Sequence, residues 1–247
     1  MPELTRIRHC EEITFNSWPA LATLYVDGWL ARFANGVTGR SNSLNALCPG
    51  GRPLDDILAA AAPAYAARHL PMMLRLTPLC PPGTREAVIA KGWRIEKESH
   101  VFGCDVTRPV IDPAVIMSSV STADWRNAYQ QANPRFDAAG METLANMHAA
   151  LVPRASFAKL VEEGENRALG MAVVERETVS LHEIATLGAA RGRGLGKRLV
   201  SSLLAWGAAH GAKEAILQVQ ADNTPAIRLY RSLGFTRLYD YCYAVAP

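Results

Sequence analysis

Hydrophobic and polar positions alternate in two distinguishable rhythms along this chain. Residues 154–161, 168–175 and 178–186 are short runs rich in apolar and β-branched residues, bounded by turn formers, and predict three consecutive strands. The turns between them fall in residues 162–166 and at the Arg176-Glu177 corner. The rhythm then changes. Leu195, Leu199, Leu203 and Trp206, widened by Val200 and Leu204, recur at helical spacing. Residues 215–220 read as a buried strand. Ile227, Leu229, Tyr230 and Leu233 mark a second helix, with Thr224 as its cap, Pro225 at its first position and Gly234 as its stop. Residues 235–245 alternate as a closing strand. Upstream, 115–120 reads as a strand, Asp124 caps a helix through Gln131, and Asp137 or Ala138 opens another through Ala150. The second half therefore predicts β-α-α-β-β-β-α-β-α-β.

The first half echoes this order faintly. Residues 23–33 predict a β-hairpin turning at Asp27-Gly28. A helix over 55–69, a strand over 70–76, a short helix over 84–91 closing at Gly92-Trp93 and an extended 94–106 match the last elements of the second half in order and length. Residues 105–113, with two prolines, read as a linker. The division expected is a first domain at 1–108 and a second at 109–247.

Composition narrows the setting. Of 247 residues, 49% are apolar, enough for a well-buried core, and the formal charge of +3 is too mild to argue for nucleic acid. Cys10, Cys48, Cys80, Cys104 and Cys242 are scattered and odd in number, without a C-x-x-C pair. They read as thiols of a reducing compartment, with no metal site. Residues 1–6 lack an apolar signal core, and no run reaches membrane-spanning length. A cytoplasmic protein that engages neither membrane nor nucleic acid is the expectation.

The chemistry is concentrated at Arg191-Gly192-Arg193-Gly194-Leu195-Gly196-Lys197, between the 178–186 strand and the following helix. Glycines leave backbone N–H groups uncovered, the helix N-terminus is positive, and two arginines and a lysine add charge: a pyrophosphate cradle. The glycine order is not the G-x-G-x-x-G of dinucleotide folds. Arg198 after Lys197 also fails the Lys-Ser/Thr of a Walker loop. R-x-x-G-x-G in this position resembles the acetyl-CoA loop of the GNAT N-acetyltransferase superfamily. Asn223, Ala226, Leu229, Tyr230, Leu233, Gly234 and Phe235 resemble a second signature of the same superfamily. The predicted element order is the one GNAT domains have. The expected fold class is thus α/β (α+β), a GNAT fold with a central mixed, mostly antiparallel sheet flanked by helices. The chain would be a tandem of two GNAT-like halves, the first lacking the loop, because Pro49 and Pro53 remove donors from 48–53.

The resemblance implies acetyl-CoA as co-substrate and transfer of its acetyl group directly to a primary amine of a small or amino-acid-like molecule. Amides from Gly192 to Lys197 would hold the pyrophosphate, helped by Arg191 or Arg193. Backbone at Ile184, Ala185, Thr186 and Leu187 would pair with the pantetheine arm and offer an N–H to the thioester oxygen. Asn223, Ala226 and Tyr230 complete the cofactor side. Tyr230 matches the tyrosine that protonates the leaving sulfur in many such enzymes. A phenol near pKa ~10 and a thiol near ~8.5 make that exchange nearly balanced. The base is Glu183 or His182, whose adjacent positions put them on opposite strand faces, or a water relay. Trp18, Trp29, Arg32, Arg40 and Asn42 are conceivable acceptor contacts better read as core or surface. The competing readings are a silent acyl-CoA sensor or scaffold and a protein or peptide N-acetyltransferase. Either a monomer or a homodimer is compatible with two halves in one chain.

Overall fold

The computed structural model describes residues 3–48, 51–106 and 110–247, leaving aside the Ala189 side chain. Pro49 and Gly50 of the proline-glycine segment and residues 107–109 of the expected linker lie outside the described residues. The chain divides into two compact units: Met1–His100 with Gln220–Asp222 and Leu238–Pro247, and Val101–Val219 with Asn223–Arg237. This partition differs from a cut at 108/109, because the end of the chain goes with the first unit.

The first unit runs α1 (Glu3–Ser17), β1 (Ala22–Val26), β2 (Trp29–Phe33), β3 (Leu44–Ala46), α2 (Leu54–Ala66), β4 (Met73–Leu76), α3 (Thr84–Ala90) and the start of β5 (Arg94–Asp105). Asp27 (φ +42°) and Gly28 (φ +83°) turn the β1–β2 hairpin with two left-handed residues, the geometry that matches strand twist. Neither α1 nor β3 was expected. The inward face of α1 includes Glu11, Thr14 and Ser17 beside Ile7, Cys10 and Ile13, so the helical apolar stripe is diluted by polar residues that are themselves buried. Glu11 forms a buried ion pair with Arg75 of β4 and accepts the Tyr239 hydroxyl proton at 2.5 Å.

The second unit runs from the end of β5 through β6 (Val115–Ser118), α4 (Ala123–Ala132), α5 (Ala138–Ala149), β7 (Arg154–Glu162), β8 (Glu165–Glu175), β9 (Thr178–Thr186), α6 (Leu195–Ala209), β10 (Glu214–Gln220) and α7 (Thr224–Arg231) into β11 (Thr236–Val245). The β-α-α-β-β-β-α-β-α-β order is the expected one. Antiparallel pairing joins β6 to β7, β7 to β8 and β8 to β9, and β9 runs parallel to β10. Leu195, Leu199, Val200 and Leu203 of α6 bury against Ala168 and Ala172 of β8, Leu181 of β9 and Leu217 of β10. On the opposite face α4 crosses β7, β8 and β9 and buries Trp125, whose indole N–H donates to the Ala158 carbonyl at 3.1 Å.

The strand order is β1-β2-β3-β4-β11-β5 in the first unit and β5-β10-β9-β8-β7-β6 in the second, β5 and β11 each contributing to both. Beside β4 lies β11, and beside β10 lies β5. In each unit the place next to the penultimate strand is filled from far away in sequence.

Two helix starts, those of α4 and α7, shift by a residue or two from expectation, and that of α5 falls as expected. Thr122, not Asp124, caps α4, its hydroxyl accepting from Trp125 N–H at 3.2 Å, while Asp124 pairs with Lys159. Asp137 caps α5. Asn223, not Thr224, caps α7, its Oδ1 accepting from Ala226 N–H at 3.2 Å. In each contested case two cap-competent residues lie close together in sequence, and the one whose side chain reaches back to N–H three residues on takes the role.

Candidate active site

The glycine segment leaves β9 through Leu187, makes one 3₁₀ turn at Gly188–Ala190 and enters α6 at Gly194. Gly192 (φ +76°) and Gly194 (φ +77°) are both left-handed, which glycine adopts without strain. Nothing lies within 4 Å of where a Cβ would stand at either, so the loop faces open space. Among the described residues, the N–H groups of Arg193, Gly194, Leu195 and Gly196 donate no backbone bond. They stand at the positive end of a 15-residue helix. Arg193 is tied to Glu162 at 3.0 Å, and Arg198 to Glu162 at 2.5 Å and Asp112 at 2.7 Å. Arg198 holds the Asp112 carboxyl below its usual range, so part of the expected linker is anchored to α6. Arg191 and Lys197 form no ion pair among the described residues, and Arg191 Nε reaches only the Thr186 carbonyl at 3.4 Å. Leu195 is buried, so only its backbone is available. A Cβ on Gly196 would stand 3.2 Å from Leu229 Cδ2 and 3.5 Å from Thr186 Oγ1. Gly196 thus lets α6, α7 and the end of β9 meet.

That end of β9 is irregular. Met171 of β8 pairs with His182 and Leu169 with Ala185, so Gly170 faces two residues, Glu183 and Ile184. Glu183 sits at φ +55°, and the strand bulges there. A Cβ on Gly170 would lie 2.5 Å from Ile184 Cδ1, so the glycine makes room for the isoleucine. Pairing of β9 with β10 ends at Leu181 and Leu217, although both strands continue. Beyond that point the two strands part, leaving the backbone edge of 182–186 unpaired toward β10.

The bulge also corrects the expectation that Glu183 and His182 face opposite ways. Phe157, Met171 and His182 stand opposite one another across β7, β8 and β9, hence on one face, and Phe157 packs on His148 of α5. Glu183 Oε2 bonds His148 Nε2 at 3.0 Å, so its side chain reaches that face too. Both candidate bases are enclosed. His182 bonds Ser180 Oγ at 2.7 Å, and the Glu183 side chain is 1% exposed, with Oε1 buried and without a partner among the described residues. His148 was missed in the sequence; its place one turn after Leu144 on the buried stripe of α5, with Met147 beside it, is the signal that could have found it.

Tyr230 is 6% exposed on α7, edge-on to Phe235, and burial pushes its phenol up to about 12. Asn223 spends its Oδ1 on its own helix. In the first unit Trp18 and Trp29 are buried. Arg32 donates to the carbonyls of Phe15, Trp18 and Arg40, Arg40 stacks on Trp18, and Asn42 Oδ1 accepts from Ala34 and Gly36 N–H. All five are engaged in holding the unit together. The five cysteines are free thiols, and among the described residues no His/Cys/Asp/Glu group could hold a metal and no helix is long and apolar enough to cross a membrane.

The family model described as "Probable histone acetyltransferase Rv0428c C-terminal" matches residues 5–244. An N-acetyltransferase of Bacillus subtilis, YobR, described as uncharacterized, is 25% identical over 97% of this chain and 98% of its own length. The mycothiol acetyltransferase of Corynebacterium glutamicum strain R is 35% identical over 53% of this chain and 47% of its own, so the match spans about half of either protein. The solved GCN5-related N-acetyltransferase of Kribbella flavida shares the fold at a TM-score of 0.71 and 16% identity, over 98% of this chain and 95% of that one.

Proposed function

The chain belongs to the acetyltransferase family of the Rv0428c C-terminal region and is a GNAT-superfamily enzyme, and on that premise we propose that it moves the acetyl group of acetyl-CoA directly to a primary amine of a small or amino-acid-like molecule. The observation that carries this reading is the open row of N–H groups at the start of α6 beside the unpaired edge of β9. Free amides, a helix dipole and the unneutralised Arg191 and Lys197 suit a pyrophosphate. The 184–187 edge suits an amide-bearing arm, and the co-substrate supplies an activated acetyl thioester. Arg193 contributes less than its position suggests, being paired with Glu162.

A backbone N–H on the 184–186 edge is the donor available to the acyl oxygen as negative charge develops there. Tyr230 serves the departing sulfur. With its phenol near 12 and a thiol near ~8.5, full proton transfer runs uphill by roughly 5 kcal/mol. Tyr230 therefore acts by donating a hydrogen bond to the sulfur, and the thiolate completes its protonation from water. Removal of the ammonium proton is assigned to water, since His182 and Glu183 are enclosed and bonded to Ser180 and His148.

Relatives named for mycothiol favour a small acceptor, and the family's description, which names a histone, makes a peptide amine the competing outcome. Calorimetric titration of acetyl-CoA into wild type and Gly194→Glu tests the cradle. Binding to wild type alone supports it, with Arg191→Ala weakening binding as a less invasive check. A folded wild type that does not bind refutes it. Turnover of small amines against lysine peptides then separates the two acceptor classes.

A further inference from the structure

We infer that His148 is a positioning residue: through its bond to Glu183 it holds the β9 bulge, and so sets the 184–186 backbone edge. The inference deepens the reading above, which assigns that edge to the acyl arm.

Glu183 is a non-glycine residue in the left-handed region, a conformation that persists only where its surroundings fix it. Two neighbouring contacts fix it. Its carboxylate is buried away from water and accepts from His148 Nε2 at 3.0 Å, and among the described residues this is the polar contact it has. The imidazole is itself held, edge-on to Trp125 at 5.6 Å and tilted on Phe157 at 4.9 Å, in the last turn of α5. The next residue is anchored on the opposite face, where Ile184 lies over Gly170 against Leu199 and Leu203 of α6. Successive side chains pinned to opposite faces leave the intervening peptide no freedom to rotate. Immediately beyond it, pairing with β8 resumes at Ala185 and Thr186, while the side toward β10 stays open. Of the other titratable groups on this face, His182 is bonded to Ser180 and Lys159 of β7 is paired with Asp124 of α4; neither meets the Glu183 carboxylate in a hydrogen bond.

His148→Phe keeps the ring packing and removes the donor. His148→Gln keeps an N–H donor and cannot take up a proton. In the Phe variant, folded by near-ultraviolet dichroism, acetyl-CoA affinity falls about ten-fold, the scale of a lost hydrogen bond to a buried charge. The backbone amide resonances of 184–186 move in the ligand-free protein. In the Gln variant both return toward wild type, and the KM for the acceptor is unchanged throughout. A folded Phe variant with wild-type affinity and unmoved resonances overturns the inference. So does a Gln variant as impaired as the Phe variant, or loss of a pH-rate limb in His148→Phe with affinity intact, which would make His148 a proton carrier. Should the Phe variant not fold, the Gln variant decides alone: retained resonances and affinity support, displaced ones overturn. A wild type that fails to bind acetyl-CoA sinks the functional reading only, because the resonances are read without ligand.

Discussion

Gly170→Ala tests the bulge from the side opposite His148. The new Cβ would lie 2.5 Å from Ile184 Cδ1, 3.2 Å from Leu203 Cδ1 and 3.4 Å from Leu199 Cδ2. Carbon atoms pack comfortably at about 3.5–4.0 Å, so the first contact is short by roughly an ångström and the others by a few tenths. Ile184 Cδ1 is the free end of its side chain and must swing to a poorer rotamer, costing about 0.5–1.5 kcal/mol. The leucines behind it limit the relief, which brings the overpacking cost to about 1–3 kcal/mol. Loss of glycine's unfolded-state freedom offsets about 0.4–1 kcal/mol of that. Ile184→Val deletes the offending methyl and by itself costs about 0.5–1.5 kcal/mol. The two changes are therefore coupled. The double variant is expected to be no less stable than Ile184→Val alone, an interaction of about 0.5–2 kcal/mol. Urea unfolding followed by two probes gives the stabilities, and calorimetry gives acetyl-CoA affinity, expected to fall in Gly170→Ala and recover in the double variant. Additive free energies, or affinity that stays low when the methyl is removed, would refute this account of the bulge.

Tyr230→Phe should bind acetyl-CoA as wild type does but lose about 10- to 150-fold in kcat, the worth of one hydrogen bond to a charged atom. Because burial raises the phenol to about 12, the folded state disfavours the phenolate. The Tyr230 share of stability is then constant below pH ~10 and falls by up to roughly 3 kcal/mol as pH rises from ~10 through 12, so in urea midpoints compared at pH 8 and 11 Tyr230→Phe should lose less than wild type, the buried Tyr65, Tyr239 and Tyr243 weakening both alike. If water takes the ammonium proton, kcat/KM should climb with pH toward the acceptor amine's own pKa; a plateau near pH 6–7 would instead place an enzymic base in the reaction. Glu11→Gln leaves Arg75, 1% exposed, without its carboxylate and should cost about 3–5 kcal/mol, whereas Glu11→Leu with Arg75→Met should cost far less. A fragment of residues 109–247 should lack a cooperative urea transition, since it omits Phe102, a fully buried member of the second unit's core.

The second half was legible because its periods are clean and its turn chemistry is local. The β9 bounds coincide with the expected 178–186, and the helix begins at Leu195 as the glycines imply. The bulge was not read, although an isolated glycine inside a strand is its ordinary sign and Gly170 supplies it. Alternation counts residues along one strand and is blind to an extra residue relative to a neighbour. That blindness put Glu183 and His182 on opposite faces. Burial was equally silent: spacing nominated two bases, and packing enclosed both. In the first half α1 went unread because Glu11, Thr14 and Ser17 face inward; Glu11 is met by Arg75 and Tyr239 from distant strands, and Ser17 donates to the Ile13 carbonyl of its own helix. β3 was missed for its length of three residues.

The division of the chain by strands instead of by halves gives the half without a glycine loop a task in the half that has one. Counted along the sequence, β5 closes the first half, yet Val101–Asp105 belongs to the second unit, and Phe102 is buried there among Leu217 and Val219 of β10. β10 is the strand from which β9 parts, and the opening between them is only as well defined as the position of each wall. Phe102 therefore bears on the opening by packing the strand that forms its far side. The reciprocal holds in the first unit, where Cys242–Val245 of β11 pair with Met73–Leu76 of β4 and are buried along their whole length. The first half of the chain thus bears on the proposed site, because the sheet edge that the proposed arm would follow depends on a core to which its strand β5 contributes.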